Sequence, residues 1–344
     1  MGKKILILFA VLTTFVIVAF GFIYLRPMYH FFQAAKKPRY EVGEHKGAQF
    51  CADCHQEIYD QWLQNSVHAE ATTNTRFLDY KNKITSNFML NAMMGEEFCY
   101  ACHGSKEVNE GVNCETCHGT VIPNVSIEET HEKKFKPRRE NLRKPDSCTK
   151  CHEMEDGMTT YREWQKSEAA KQGITCQGCH MKPRESGVPY HGFDSVSRTR
   201  NVGIYRDDLK IKDININFPQ FSLAIENRVM GHAIPASGPS RVLVLEISFL
   251  DLKGVETYKI VQTFAKYFEL IPIVGIFPAK LIENTQLQSG EARQLSFTLP
   301  SSLAGQISKA VLTLRFYDVS DDHAGDLNKA HWISEPILEG EVGI

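Results

Sequence analysis

The hydrophobic pattern divides the chain into four stretches. Ile5 to Leu25, ILILFAVLTTFVIVAFGFIYL, is 21 residues without a charge, enough to cross roughly 30 Å of hydrocarbon as a helix. A cleaved signal peptide has a shorter apolar core of about 7–15 residues, and Ala19-Phe20-Gly21 is only a weak cleavage site. Residues 1–33 are therefore expected to form an uncleaved signal anchor, a single-pass transmembrane helix in the inner (cytoplasmic) membrane. Lys3 and Lys4 would stay inside and everything from Arg26 onward would lie on the periplasmic, extracytoplasmic side. Residues 34–46 are polar and basic and read as a linker. Residues 47–200 carry few long aliphatic runs; YDQWLQNS and TTYREWQKSEAAKQ are the clearest of several short predicted helices. From residue 201 to 344 the period becomes two, in ININ, FSLAI, LEISF, LSFTL and LTLRFY, which predicts half-buried strands. With turn signals such as DLKG and QSGE between them, these strands suggest an immunoglobulin-like antiparallel β-sandwich. The expected fold class is α+β multidomain: an anchor helix, a mostly α and loop domain, and a β domain. FELIPIVGIFPAKLI, Phe268 to Ile282, is too short and too interrupted by proline to span a membrane, and reads as sandwich core plus a loop.

Charge adds an exclusion. With 39 basic and 41 acidic side chains and a formal charge of −2, nothing suggests nucleic acid binding. The basic run HEKKFKPRRENLRK reads as a solvated face.

Cysteine spacing supplies the chemistry. C-x-x-C-H occurs five times: at Cys51, Cys54 and His55; at Cys99, Cys102 and His103; at Cys114, Cys117 and His118; at Cys148, Cys151 and His152; and at Cys176, Cys179 and His180. All ten cysteines are used. A disulfide framework would not set a histidine behind every second cysteine, and closed zinc sites would pair knuckles that five motifs cannot pair evenly. A thioredoxin-like dithiol would occur once. Covalent haem attachment needs this spacing, because two thiols reach the two vinyl groups of one porphyrin while the adjacent imidazole becomes the proximal ligand. Five covalently attached haems c are expected, and their apolar discs would supply the buried surface that residues 47–200 lack. Haem is attached to reduced thiols outside the cytoplasm, in agreement with the anchor. Cys99 and Cys114 lie fifteen positions apart, which brings the second and third haems into near contact.

Function then turns on the second axial position, since a second histidine suits electron transfer and an open position admits a substrate. Eight histidines stand outside the motifs: His30, His45, His68, His131, His191, His232, His323 and His331. CADCHQEIYDQWLQNSVHAEA, GVNCETCHG, YREWQKSEAAKQGITCQGCHM, HGF at His191 to Phe193 and GHAIPASGPSR at Gly231 to Arg241 resemble the multihaem cytochromes c of the cytochrome c-554 and hydroxylamine oxidoreductase superfamily. That resemblance implies His68, His131 and His191 as distal ligands, with His232 as the candidate from the β domain. Ala169 stands where the W-x-x-x-S-x-H pattern of His68 would repeat, so one haem is expected to lack a bis-histidine pair. Its sixth position goes to a tail histidine, to Met154 in CTKCHEM, which resembles a ligand of membrane-anchored quinol dehydrogenases, or stays open. The expected function is electron transfer through closely packed haems to redox partner proteins. Alternatives are a quinol-oxidising membrane subunit, or a reductase or oxidase of a small nitrogen or sulfur species at an open haem, and assembly into a larger complex is compatible with each. No catalytic side chain is identifiable, and no motif replaces its histidine with the lysine of pentahaem nitrite reductases.

Overall fold

The computed structural model describes residues 13–14, 45–93, 95–119, 142–153, 159–185, 187–193, 205–236, 240–270, 278–319 and 326–344. The expected anchor at Ile5 to Leu25, apart from Thr13 and Thr14, and most of the 34–46 linker lie outside these residues. Among the described residues no helix is long and apolar enough to cross a membrane.

The first region is helical. Its elements are α1 (Ala48–Asn65), a 3-10 turn at Val67–Glu70, α2 (Thr75–Ser86), α3 (Phe88–Met93), α4 (Glu97–His103), α5 (Cys114–His118), α6 (Asp146–His152), α7 (Thr160–Gln165), α8 (Glu168–Lys171) and α9 (Cys176–His180). Among the described residues its apolar clustering is slight: Ile84 and Leu90 form a buried pair with Tyr80 and Cys99 against them. Helices this short are marginal without tertiary support, so side-chain caps and hydrogen bonds between loops hold the region.

Ten strands follow among the described residues: β1 (Leu209–Asn217), β2 (Gln220–Asn227), β3 (Arg241–Leu250), β4 (Glu256–Phe264), β5 (Lys266–Leu270), β6 (Pro278–Asn284), β7 (Ala292–Thr298), β8 (Lys309–Val319), β9 (Ala330–Ile333) and β10 (Leu338–Gly343). A three-stranded sheet runs β1-β2-β7, a five-stranded sheet runs β10-β8-β3-β4 with β9 on β8, and β5 pairs with β6. All these pairings are antiparallel. Side chains of both larger sheets share one core, in which Phe221 of β2 meets Phe249 of β3 edge to face at 5.3 Å. All five sequence-predicted strands lie in or adjoin observed ones.

β3 departs from simple alternation. Leu243, Leu245, Ile247 and Phe249 enter the shared core, whereas Val242 and Val244 pack on the opposite face with Ala265, Tyr317 and Val319. Burial on both faces at this end explains the unbroken run VLVL. The helical region docks at the same end, where Arg76 of α2 hydrogen-bonds Ser240 and pairs with Asp318 of β8 at 3.8 Å.

Truncating Phe249, which is fully buried, is expected to destabilise the β domain by about 3–5 kcal/mol. Urea unfolding followed by far-ultraviolet circular dichroism reads this directly, and an unchanged midpoint in Phe249→Ala would contradict the inter-sheet core.

Candidate functional site

Every C-x-x-C-H lies on helix. Residues i, i+3 and i+4 share a helical face, so one turn presents both thiols and the imidazole to the same side. Four of these helices end on the motif histidine, and α1 kinks at its own, His55 (φ −120°, ψ 45°). Caps fix where two of them begin. Asn113 and Thr116 form a capping box around α5, and Thr175 accepts the Gly178 N–H at the start of α9.

The helical region is built on an internal duplication. Trp62 Nε1 donates to the Val112 carbonyl at 2.9 Å, and Trp164 Nε1 donates to the Ile174 carbonyl at 2.9 Å. In return the Val112 N–H donates to the His68 carbonyl and the Ile174 N–H to the Ala169 carbonyl, each at 2.8 Å. Val112 and Ile174 both stand two residues ahead of a motif's first cysteine. Inside those motifs, Glu115 accepts the N–H groups of Lys46 and Gly47 at 3.0 Å, while Gln177 donates to the carbonyls of Leu142 and Lys144 at 2.8 and 2.9 Å. The thiol of Cys51 lies beside that of Cys114, and the thiol of Cys148 beside that of Cys176. The first and third motifs therefore form one unit and the fourth and fifth another, with α2 to α4 and the second motif inserted into the first. Gly111 keeps that insertion closed: at φ +78° its Cβ would lie 2.2 Å from the His68 carbonyl oxygen.

The second thiol of each motif is placed differently from the first. Cys54 on α1 and Cys179 on α9 are exposed, whereas Cys102 on α4, Cys117 on α5 and Cys151 on α6 are half-buried, and none of the five is in a disulfide. The structure brings the thiol of Cys51 to that of Cys114 and the thiol of Cys148 to that of Cys176, and it places the second cysteines, Cys54, Cys102, Cys117, Cys151 and Cys179, on their own motif helices. Their assignment to haem rests on motif spacing and on the helical face that each shares with its own first cysteine and histidine.

Among the described residues, three motif histidines face a histidine from elsewhere. His152 lies opposite His68 with ring centroids 6.0 Å apart, His118 opposite His191 at 6.2 Å, and His180 opposite His232 at 6.2 Å. Metal–imidazole bonds of about 2.0 Å on opposite faces of one ion place ring centroids roughly 6.3 Å apart, so these spacings fit an iron shared by each pair. Two of the pairs join the duplicated units, and the third joins the helical region to the β domain.

Local contacts prepare the rings for ligation. Nδ1 of His191 lies 2.7 Å from the Pro189 carbonyl, Nδ1 of His232 lies 3.0 Å from that of Ala233, and Nδ1 of His103 lies 2.7 Å from that of Ala71. A carbonyl at Nδ1 fixes the proton there and leaves Nε2 as the ligating nitrogen. Burial holds the pKa values of all three below the ordinary histidine range. His68 is pushed down to about 3, by burial first and then by His152, His180 and His103. Its Nδ1 is buried without a hydrogen-bond partner, which suits a ring that reserves a nitrogen for a metal.

The HGF segment gains a physical reason. A Cβ on Gly192 would fall 2.2 Å from the Tyr190 ring, and Phe193, at φ 49°, stands edge to face with His68 and His191, its ring centroid 4.5 and 6.3 Å from theirs. One aromatic ring thus contacts a member of two different pairs. Phe193 breaks a steric rule to do so.

The remaining candidates are placed differently. His103 meets the Phe77 ring at 4.9 Å, with no second histidine ring opposite it among the described residues. His45 is buried between Glu115 and Glu107, at 3.6 and 3.7 Å. His331 is exposed on β9, and His30, His131, His323 and Met154 lie outside the described residues. Ala169 is 2 % exposed and donates its N–H to the Met230 carbonyl at 3.2 Å. The position that lacks an imidazole is thus where the segment carrying His232 packs.

Residues 50–119 match the family model described as Cytochrome c554 and c-prime. Among solved structures, the penta-heme cytochrome c552 from Thermochromatium tepidum is similar with a TM-score of 0.62 at 17% identity, covering 90% of this chain and 100% of that one. The first likeness is confined to the stretch that holds the first three motifs, and the second shows a shared fold over most of the chain. The ten free thiols and the facing imidazoles fit haem c. Pseudomonas fluorescens alkylpurine DNA glycosylase AlkC bound to DNA containing an abasic site analog also matches, but its TM-score of 0.17, at 9% identity over 40% of this chain and 30% of that one, carries no argument. No curated protein matches the chain.

Sequence spacing alone missed the roles of Trp62, Trp164, Glu115, Gln177 and Phe193. Substituting Ala169→His would force an imidazole into the space packed against Met230, and is expected to lower stability by about 1–3 kcal/mol. Thermal unfolding of the haem-loaded protein checks this; unchanged stability together with a new low-spin haem signal would contradict it.

Proposed function

We propose that the chain is a membrane-anchored, extracytoplasmic cytochrome with five covalently attached haems c, most of them bound by two histidines, and that it passes electrons between redox partner proteins. The observation that carries the proposal is the set of three histidine pairs at 6.0, 6.2 and 6.2 Å, each joining a C-x-x-C-H motif to a residue remote in sequence. Bound haem c supplies reversible one-electron chemistry at iron. The chain's own residues bind and orient it. Cys51 and Cys54, Cys99 and Cys102, Cys114 and Cys117, Cys148 and Cys151, and Cys176 and Cys179 tether one haem per pair. His55, His103, His118, His152 and His180 are proximal, and His68, His191 and His232 serve the fourth, third and fifth motifs. His68 fills the sixth position for which Met154 was a candidate. His131 would serve as the distal ligand of a further motif. Thiol contacts between Cys51 and Cys114 and between Cys148 and Cys176 set the groups of each unit side by side, the arrangement that short electron-transfer steps need. The apolar run Ile5 to Leu25 supports the anchor, and with it access to membrane quinol.

One observation favours a second reading. The ring of His103 faces Phe77, not a histidine, among the described residues, and an open sixth position there would admit a small nitrogen or sulfur species.

Mass spectrometry and pyridine-adduct absorbance of cleanly matured protein are expected to give five haems, and four or fewer would sink at least one motif's assignment. Electron paramagnetic resonance adds a finer test, because parallel axial rings split the iron d orbitals while crossed rings leave them nearly degenerate. The near-parallel pair His180–His232, at 7°, predicts a rhombic low-spin signal, and the crossed pair His68–His152, at 66°, a strongly anisotropic one. His232→Ala and His68→Ala should each remove one of these. Loss of a haem-ligand signal in neither variant would contradict the pairing.

A further inference from the structure

The β domain delivers His232 through a short run of polar contacts with the helical region. Lys266, at the start of β5, is only 4 % exposed, and its Nζ leaves its own domain to donate to Glu163 Oε1 at 3.0 Å and Thr159 Oγ1 at 2.5 Å. Glu163 of α7 turns its other oxygen, Oε2, to accept the Ala233 N–H at 3.2 Å. The Ala233 carbonyl in turn receives Nδ1 of His232 at 3.0 Å. One carboxylate thus joins a buried cation to the peptide beside the ligand, and both polar groups of Ala233 are committed. On the other side the Ala169 N–H holds the Met230 carbonyl, so the segment from 230 to 233 is gripped at both ends.

A buried ammonium–carboxylate pair is a costly way to join two domains, since apolar side chains of similar volume do so at least as well. Its geometry accounts for its presence. Burial opposes the charge on Glu163, but Lys266, the Thr159 hydroxyl and the Ala233 N–H outweigh it and hold the carboxyl below the usual carboxylate range. The acceptor for Ala233 is therefore a full carboxylate, which makes the stronger kind of hydrogen bond.

We propose that Glu163 and Lys266 are positioning residues that fix the height and ring plane of His232 opposite His180. The inference rests on the reading of His232 as the distal ligand of the fifth motif. It explains why these two rings lie within 7° of parallel although they belong to different domains: the peptide carrying one ring is bonded to the helix that leads into the other's motif.

The test uses the full-length haem-loaded protein, with equal haem content verified for each variant. His232→Ala is the reference, and cyanide is the probe. Glu163→Ala and Lys266→Met are expected to raise the rate at which cyanide binds one haem by about tenfold, because a ligand that detaches more often exposes the iron for longer. They should broaden or shift the near-parallel low-spin signal and leave the crossed His68–His152 signal unchanged. Glu163→Gln keeps an oxygen for the Ala233 N–H and should return the signal close to that of the unmodified protein. Wild-type cyanide binding and spectra in both Glu163→Ala and Lys266→Met, alongside a changed His232→Ala, would overturn the positioning role. Equal disturbance of all haem signals would also overturn it, since that is the mark of a general stability effect. An unchanged His232→Ala would overturn the ligand assignment beneath it.

Discussion

An imidazole from a C-x-x-C-H motif and a second imidazole brought to about 6 Å from it form the constraint on which the rest of the structure depends. The motif places its own histidine by helical geometry alone. The opposite histidine has to be carried there by tertiary structure, and three separate devices do so. A 3-10 turn capped by Ser66 carries His68, the Tyr190–Phe193 turn carries His191, and the β domain carries His232. Each pair spans two parts of the chain, so a shared iron would act as a cross-link as well as a redox centre. This suits a region whose apolar clustering among the described residues is slight and whose helices are short.

The duplication explains how five motifs are kept in order. In each unit a tryptophan and the carbonyl two residues after a serine grip the backbone just ahead of the next motif. A Glu or Gln inside that motif reaches back to the segment ahead of the first. The two copies solve the same hydrogen-bonding problem with opposite polarity, a carboxylate accepting N–H groups in one and an amide donating to carbonyls in the other. Where the units differ, the difference has a use: Ala169 gives up an imidazole, and the β domain packs there with its own.

Much of this was legible in the residues. Motif spacing located all ten thiols and five histidines, period-two alternation located the principal strands, and the W-x-x-x-S repeat located Ser66 and Ser167 as equivalent. Spacing could not show that Cys51 meets Cys114 and Cys148 meets Cys176, or that Cys54 and Cys179 stay exposed. The pairings were not legible either, because Trp62 reaches across 50 residues and Trp164 across 10 to make the same bond, and no fixed spacing survives the insertion of the second motif. The fate of Ala169 was hidden for a related reason. A missing side chain reads as a missing function until the segment that packs against it is known, and Met230 lies 61 positions away. Double burial of the β3 end likewise depends on β5 and on the docking of α2, neither of which alternation within β3 reveals.

The most direct test of the central claim is the position of the irons, measured by anomalous diffraction at the iron edge from crystals of the matured protein. The account predicts an iron peak between the rings of each of three pairs, His68 with His152, His191 with His118 and His232 with His180, about 2.0 Å from one nitrogen of each ring. A peak bonded to His180 with His232 more than hydrogen-bond distance away, or any of these pairs sharing no iron, would contradict it.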